Sequence, residues 1–251
     1  MLEQNQMVKE MFKLQAELNN SINGIEWLTG VNKHGKDIDW LLCAKMEITE
    51  MIGCFPWKHW KSISEPFNVE NFKVKLVDVW HFLMSELITF VAYDESKKKE
   101  TENPDIKLSL EEKMELALST LGGNLTFEGF KERMQPEIDK LDNTEKTLLL
   151  VVKSFLDSVN NLNNFITHYF MILALLERDY NFGFNDMYNL YIGKNALNKF
   201  RQDNGYKEGS YVKMWDGEED NVYMQSLLTD KVLTFNELYD LLDIKYKEIT
   251  K

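Results

Sequence analysis

Two short stretches carry side chains that could do chemistry together: Met46-Glu47-Ile48-Thr49-Glu50 and, about 25 residues on, Lys75-Leu76-Val77-Asp78-Val79-Trp80-His81-Phe82. Carboxylates at i and i+3 stand about 60° apart on one helix face, so Glu47 and Glu50 point the same way, and a second helix can set Asp78 opposite them. Acids gathered like this repel one another unless a cation lies between them. Hard oxygen donors suit Mg²⁺, which also clamps phosphates. A Glu-x-x-Glu pair alone is common on a solvated helix face. Here Trp40, Leu41, Leu42, Met46, Met51 and Ile52 leave the two acids as the only polar stripe of their helix. Asp78 lies inside the apolar run from Leu76 to Met84; burial is expected there, and a buried charge needs a partner or a metal. A four-acid site would want Glu at position 75, and the residue there is Lys75.

Other residues could complete such a site. His81, one turn after Asp78, reads first as a core histidine held by a hydrogen bond and second as a ligand-contacting group. Trp57-Lys58-His59-Trp60-Lys61 either anchors a tight turn or offers aromatic faces and cations to a planar base and its phosphates. Lys194, Asn198 and Arg201 recur at i, i+4 and i+7 on one helix face, followed by Tyr206, Lys207 and Lys213. Five basic residues stand against two acids between 194 and 213, in a chain whose net charge is −12. That local inversion, with Gly193 and the interleaved aromatics, reads as a triphosphate clamp rather than a solvated basic face. Gln15 and Asn19 share one face of the first helix. Side-chain amides offer both donor and acceptor to a base edge, or are ordinary surface amides where no base binds.

The elements that must position these groups are helical. Only four prolines interrupt 251 residues, and 44% of the chain is hydrophobic, enough for a sizeable core. Apolar periodicity predicts a first helix over about 3–20, a second from Asp39 as N-cap to Cys54, and a third from Asn68 to about Tyr93. Residues 22–38 read as a loop, and 94–107 as an exposed polar excursion. Ser109 with Glu112 makes a capping box for a helix ending at Gly122-Gly123; a short helix from Phe127 to Met134 precedes Pro136. Core helices follow at about 143–160 and 163–179, then one opened by Asn185 or Asp186 that ends near Gln202. Residues 203–218 read as a loop, and Thr234 with Glu237 caps a terminal helix. No strand alternation is long enough to predict a sheet. The expectation is an all-α bundle, one domain over 1–251 with a variable insert at about 94–140.

The acidic balance disfavours nucleic acid and anionic membrane as partners. The run from Tyr169 to Leu176 is too short to span a bilayer. Cys43 and Cys54, about 16 Å apart along one helix, cannot pair, and buried thiols in a reducing cytoplasm are expected.

In order along the chain, Lys13-Leu14-Gln15 through Asn19, Met46-Glu47-x-x-Glu50, Trp57-Lys58-His59-Trp60-Lys61, Val77-Asp78-Val79-Trp80-His81-Phe82, and Tyr191-Ile192-Gly193-Lys194-Asn195 through Asn204-Gly205-Tyr206-Lys207 resemble the dimeric all-α dUTPases (dUTP diphosphatases) of some bacteria, phages and kinetoplastids. The resemblance covers 10–93 and 180–222. It implies a homodimer that splits dUTP, or dUDP, with Mg²⁺. Glu47, Glu50 and Asp78 match the family's metal ligands, and Lys75 departs from a fourth. Gln15, Asn19 and Asn198 match its uracil contacts. Lys194, Arg201, Tyr206 and Lys213 match its phosphate contacts, with His81 and Phe82 in the substrate set. The Trp57–Lys58 segment resembles one that closes over the nucleotide, partly from the neighbouring subunit. Lysine at 75 puts an ammonium, without a lone pair, where a carboxylate ligand is expected. Three readings follow: a designed loss of turnover that traps substrate, a natural non-hydrolytic relative, or a lysine that swings away while fewer ions bind. A related pyrophosphohydrolase for another pyrimidine, such as dCTP, is the remaining alternative, since amides serve either base when they flip.

Overall fold

The computed structural model describes residues 3–61, 65–102, 109–120, 127–229 and 232–250; for 91–102 and 120 it describes the backbone alone. Ten α-helices lie among the described residues: α1 Gln4–Asn23, α2 Trp40–Gly53, α3 Val69–Glu102, α4 Leu110–Thr120, α5 Phe127–Ile138, α6 Glu145–Ser158, α7 Leu162–Tyr180, α8 Phe184–Asp203, α9 Asp220–Leu228 and α10 Phe235–Ile249.

Local chemistry sets the helix ends. Helix α1 buries Met7, Met11, Phe12, Gln15, Ala16, Leu18 and Asn19. It stops at Gly24, whose φ of +77° and lack of a Cβ let the chain turn against Glu26 and Lys33. Asp39 accepts from the Leu42 N–H at 2.7 Å to start α2, and Asn68 accepts from the Asn71 N–H at 3.0 Å to start α3. The Ser109–Glu112 and Thr234–Glu237 capping boxes form as expected. At α8 the Asp186 carboxylate accepts from the Gly183 N–H at 2.9 Å.

Helix α3 is the axis. Phe72, Leu76, Val77, Val79, Trp80, Leu83, Met84, Leu87 and Ile88 are all fully buried, so this helix is apolar over most of its circumference and must be surrounded. Helix α2 packs along it, α1, α4 and α8 add further sides, and the α6–α7 pair packs on α2 through α6 and on α3 through aromatic rings of α7. Trp80 packs against Phe12, Tyr169 and Phe170 at centroid distances of 6.5, 5.0 and 6.1 Å; truncation of such a side chain costs about 3–5 kcal/mol.

Four features depart from the sequence expectation. The polar stretch after Tyr93 continues α3 through Glu102 rather than leaving it: lysine and glutamate are good helix formers and need no buried face to extend a helix already nucleated. Of that predicted excursion 103–107, and the Gly122-Gly123 end of α4, lie outside the described residues. Pro136 sits inside the last turn of α5 instead of beyond it, where one backbone bond is lost rather than a ladder broken. Residues 203–218 contain strand Met214–Trp215, paired antiparallel with Glu218–Glu219 across Asp216-Gly217. Both turn residues have positive φ, 51° and 92°, the geometry of a two-residue hairpin. This hairpin leads into α9, which the apolar pattern had not marked.

Candidate functional site

Four polar helix faces meet in one cleft of about 750 Å³. Helix α1 supplies Gln15 and Asn19; α2 supplies Trp40, Glu47 and Glu50; α3 supplies Lys75, Asp78, His81 and Phe82; α8 supplies Lys194, Asn198 and Arg201. Each set recurs at three-, four- or seven-residue spacing, so each helix turns one stripe to the cleft and packs another into the core. Tyr206, Lys213, Glu219 and Asn221 close the side nearest the hairpin. Trp57 and Lys58 do not line the cleft. Trp57 is 40% exposed, stacks edge-on against Trp60 and carries Lys58 near its face.

The acidic wall is already neutralised in part. Lys75 Nζ lies 3.1 Å from Glu47 Oε2 and also pairs with Glu50 Oε2. Burial works against its charge, but the bonds to Glu50 and Glu47 hold the ammonium above its ordinary pKa. Burial, with the Asp78 charge adding, pushes the Glu47 carboxyl up against the opposing effect of Lys75. Asp78 pairs with Lys194 Nζ at 3.1 Å, and Lys194 donates to Asn221 Oδ1 at 3.2 Å. Among the described residues no group of three His, Cys, Asp or Glu side chains stands close enough to hold a metal ion. The donor set as arranged does not fit the ion cluster that four acids would hold: an ammonium occupies the position of the fourth acid and contacts two of the other three.

The opposite end is a closed amide network. Gln15 Nε2 donates to Asn19 Oδ1 and Ser85 Oγ, each at 3.1 Å, and Asn19 Nδ2 donates to Ser85 Oγ at 2.9 Å. Gln15 Oε1 is 2.6 Å from His81 Nδ1 and accepts from Tyr191 Oη at 3.3 Å. A carbonyl oxygen only accepts, so His81 carries its proton on Nδ1. Its Nε2 is then a buried acceptor with no partner among the described residues. Burial pushes the His81 pKa down to about 3, and the ring is neutral at pH 7. Phe82 stacks on Trp40 at 6.2 Å and 28°, giving the cleft one apolar flank.

The basic wall is less free than its sequence implied. Arg201 makes a two-pronged bond to Asp220, Nε–Oδ2 at 2.8 Å and Nη2–Oδ1 at 2.6 Å, while Tyr211 Oη donates to Asp220 Oδ2 at 2.8 Å. Asp220 is fully buried. Lys213 pairs with Glu219 at 3.0 Å, and the Tyr206 ring packs on the Arg201 guanidinium. Gly193 is not part of a phosphate loop: it lies in α8, where a Cβ would come within 2.6 Å of Met224 Sδ and 2.8 Å of Leu228 Cδ1. It is glycine because α9 crosses there. Sequence reasoning passed over Ser85, Asp220 and Asn221. A serine one turn beyond His81, in a run that is otherwise apolar, was the available signal for Ser85. Asp220 became legible only once Arg201 was seen to need a counter-charge.

The fold and the cleft together define an all-α protein whose site is built from helix faces rather than loops. The sequence model described as dUTPase matches residues 7–206, and the chain belongs to the dUTPase family. A comparison with curated proteins gives no match. No helix among the described residues is long and apolar enough to cross a membrane.

Proposed function

We propose that this chain is a dUTP diphosphatase in which water cleaves the phosphoanhydride next to the nucleotide's α-phosphate, giving dUMP and pyrophosphate from dUTP, or dUMP and phosphate from dUDP. The observation that carries this is the convergence, in one cleft, of amides from α1, acids from α2 and α3, and cations from α8, which lie far apart in sequence. Gln15, Asn19 and Asn198 supply donors and acceptors for the uracil edge, and Phe82 with Trp40 gives its ring an apolar flank. The unpartnered His81 Nε2 accepts a hydrogen bond from the nucleoside. Lys194, Arg201, Tyr206 and Lys213 face the phosphates, with Asp220 holding the Arg201 fork in one orientation. Glu47, whose raised pKa makes it a stronger base than an ordinary carboxylate, takes the proton of the attacking water. Glu47, Glu50 and Asp78 are the residues that the resemblance assigns to Mg²⁺, and with Lys75 bonded to two of them no step is routed through the ion. Trp57, Lys58 and Trp60 stand outside their own cleft and exposed, which supports a homodimer in which they reach the partner's nucleotide. The free thiols of Cys43 and Cys54 support a reducing, cytoplasmic setting.

One observation favours a second reading, a dUTP-binding relative with little turnover that serves as sensor or partner-binding module: Lys75 bonds both Glu47 and Glu50. Pyrophosphate release from dUTP, dTTP, dCTP and UTP, with and without Mg²⁺, separates the readings. Turnover of dUTP above the other three supports the enzyme, and tight dUTP binding without turnover supports the second reading. Equal use of dUTP and dCTP overturns the assignment to uracil, because cytosine exchanges donor and acceptor at two edge atoms and each buried polar group left unpaired costs about 1–3 kcal/mol.

A further inference from the structure

We infer that Lys75 is a resident cation: its ammonium stands where a divalent ion would bridge the α2 carboxylates and a phosphate, so the cleft binds a nucleoside di- or triphosphate without metal. This rests on the nucleotide reading of the cleft and deepens it.

Position, charge and hydrogen-bonding capacity agree. The Lys75 side chain is 19% exposed and lines the cleft, with Nζ bonded to Glu47 Oε2 and Glu50 Oε2. An ammonium has three N–H donors. The described contacts use two, leaving the third for a phosphate oxygen. A divalent ion in such a place does the same work, joining protein carboxylates to substrate oxygens of like charge. Across the cleft Lys194 does the equivalent for Asp78 at 3.1 Å. Three carboxylates therefore face two ammonium groups, and the wall carries a single net negative charge. Glutamate at position 75 would leave it with three, a wall that repels a polyphosphate until metal arrives. With lysine, an anionic ligand meets a wall already close to neutral.

The alternative is an ion pair that serves stability alone, and binding distinguishes the two. Calorimetric titration of the full chain with the α,β-imido analogue of dUTP, in EDTA and again in Mg²⁺, is the direct test. Wild-type affinity is expected to change by less than about tenfold between the two conditions. Lys75→Gln, which keeps length and polarity but removes the charge, is expected to lose more than about tenfold in EDTA, and Lys75→Glu more still, with recovery in Mg²⁺. Thermal melting confirms that each variant is folded, and Lys75→Gln suffices if Lys75→Glu is not. Uptake of Mn²⁺ by electron paramagnetic resonance, without nucleotide, gives a second readout: Lys75→Glu should bind at least one ion more than wild type. The proposal is overturned if EDTA weakens wild-type binding more than about tenfold, if Lys75→Gln leaves the EDTA affinity unchanged, or if Mn²⁺ uptake is equal. Absence of analogue binding by the wild type in both conditions overturns the nucleotide reading itself, and this proposal with it.

Discussion

Asp220 shows how much depends on one buried charge. It is fully buried, forked by Arg201 and bonded by Tyr211. Removing one partner of a buried pair costs about 3–5 kcal/mol, because the other charge is stranded. Asp220→Asn should therefore lower the melting temperature by roughly 10 °C, at a few degrees per kcal/mol for a chain of this size. A shift within a degree of wild type would mean that the pair adds nothing. His81 makes a pH-dependent contribution. Its pKa is about 3 in the fold, against 6.5 in the unfolded chain, so below pH 6.5 the unfolded state binds a proton that the fold refuses. The contribution is complete above pH 6.5 and is lost toward pH 3, by at most about 1.4 kcal/mol per unit. Chemical denaturation at stepped pH should show a shallower acid decline for His81→Asn than for wild type. Parallel curves would contradict the burial argument.

At the scale of elements, α9 is held against α8 at Gly193, and the cleft inherits its shape from that contact because α9 begins at Asp220 and Asn221. A methyl group at 193 would meet the flexible ends of Met224 and Leu228. Both can swing, so Gly193→Ala should cost only about 1–2 kcal/mol, overpacking partly offset by better helix propensity. Adding Met224→Ala makes room for the methyl, and the double variant should be more stable than the sum of the two single losses. Strict additivity in denaturant unfolding would show that the clash is relieved elsewhere. The helix starts of α2, α4 and α10 were all readable in sequence, because a capping side chain and the amide it binds are two or three residues apart. The continuation of α3 past Tyr93 was not: charged helix formers look alike in a loop and on a solvated helix.

For the whole molecule, the prediction concerns assembly. Leu42 and Met46 on α2 are 53% and 55% exposed, and Trp60 is 62% exposed. Leu42 and Met46 are neighbours at i and i+4 of α2, and exposed apolar groups that adjoin, rather than stand singly, mark a contact surface. Sedimentation should find a dimer at working concentration, and Trp57→Ala should weaken nucleotide binding although Trp57 lies outside its own cleft. A fully active monomer would contradict both.

The sequence alone determined the all-α class, the order of most helices and which residues share a helix face, since all three follow from periodicity and capping over a few residues. It also placed Gln15, Asn19, Glu47, Glu50, Asp78, Lys194, Asn198 and Arg201 on polar stripes of separate helices. Only the tertiary structure decided what those stripes meet. Lys75 closes on Glu47 and Glu50, Lys194 on Asp78, and Arg201 on Asp220. Gly193 serves helix packing, and Trp57 stays outside. Ion pairs between helices depend on how the helices cross. That crossing is set by the burial of many apolar side chains at once, a property of the whole core that no local spacing encodes.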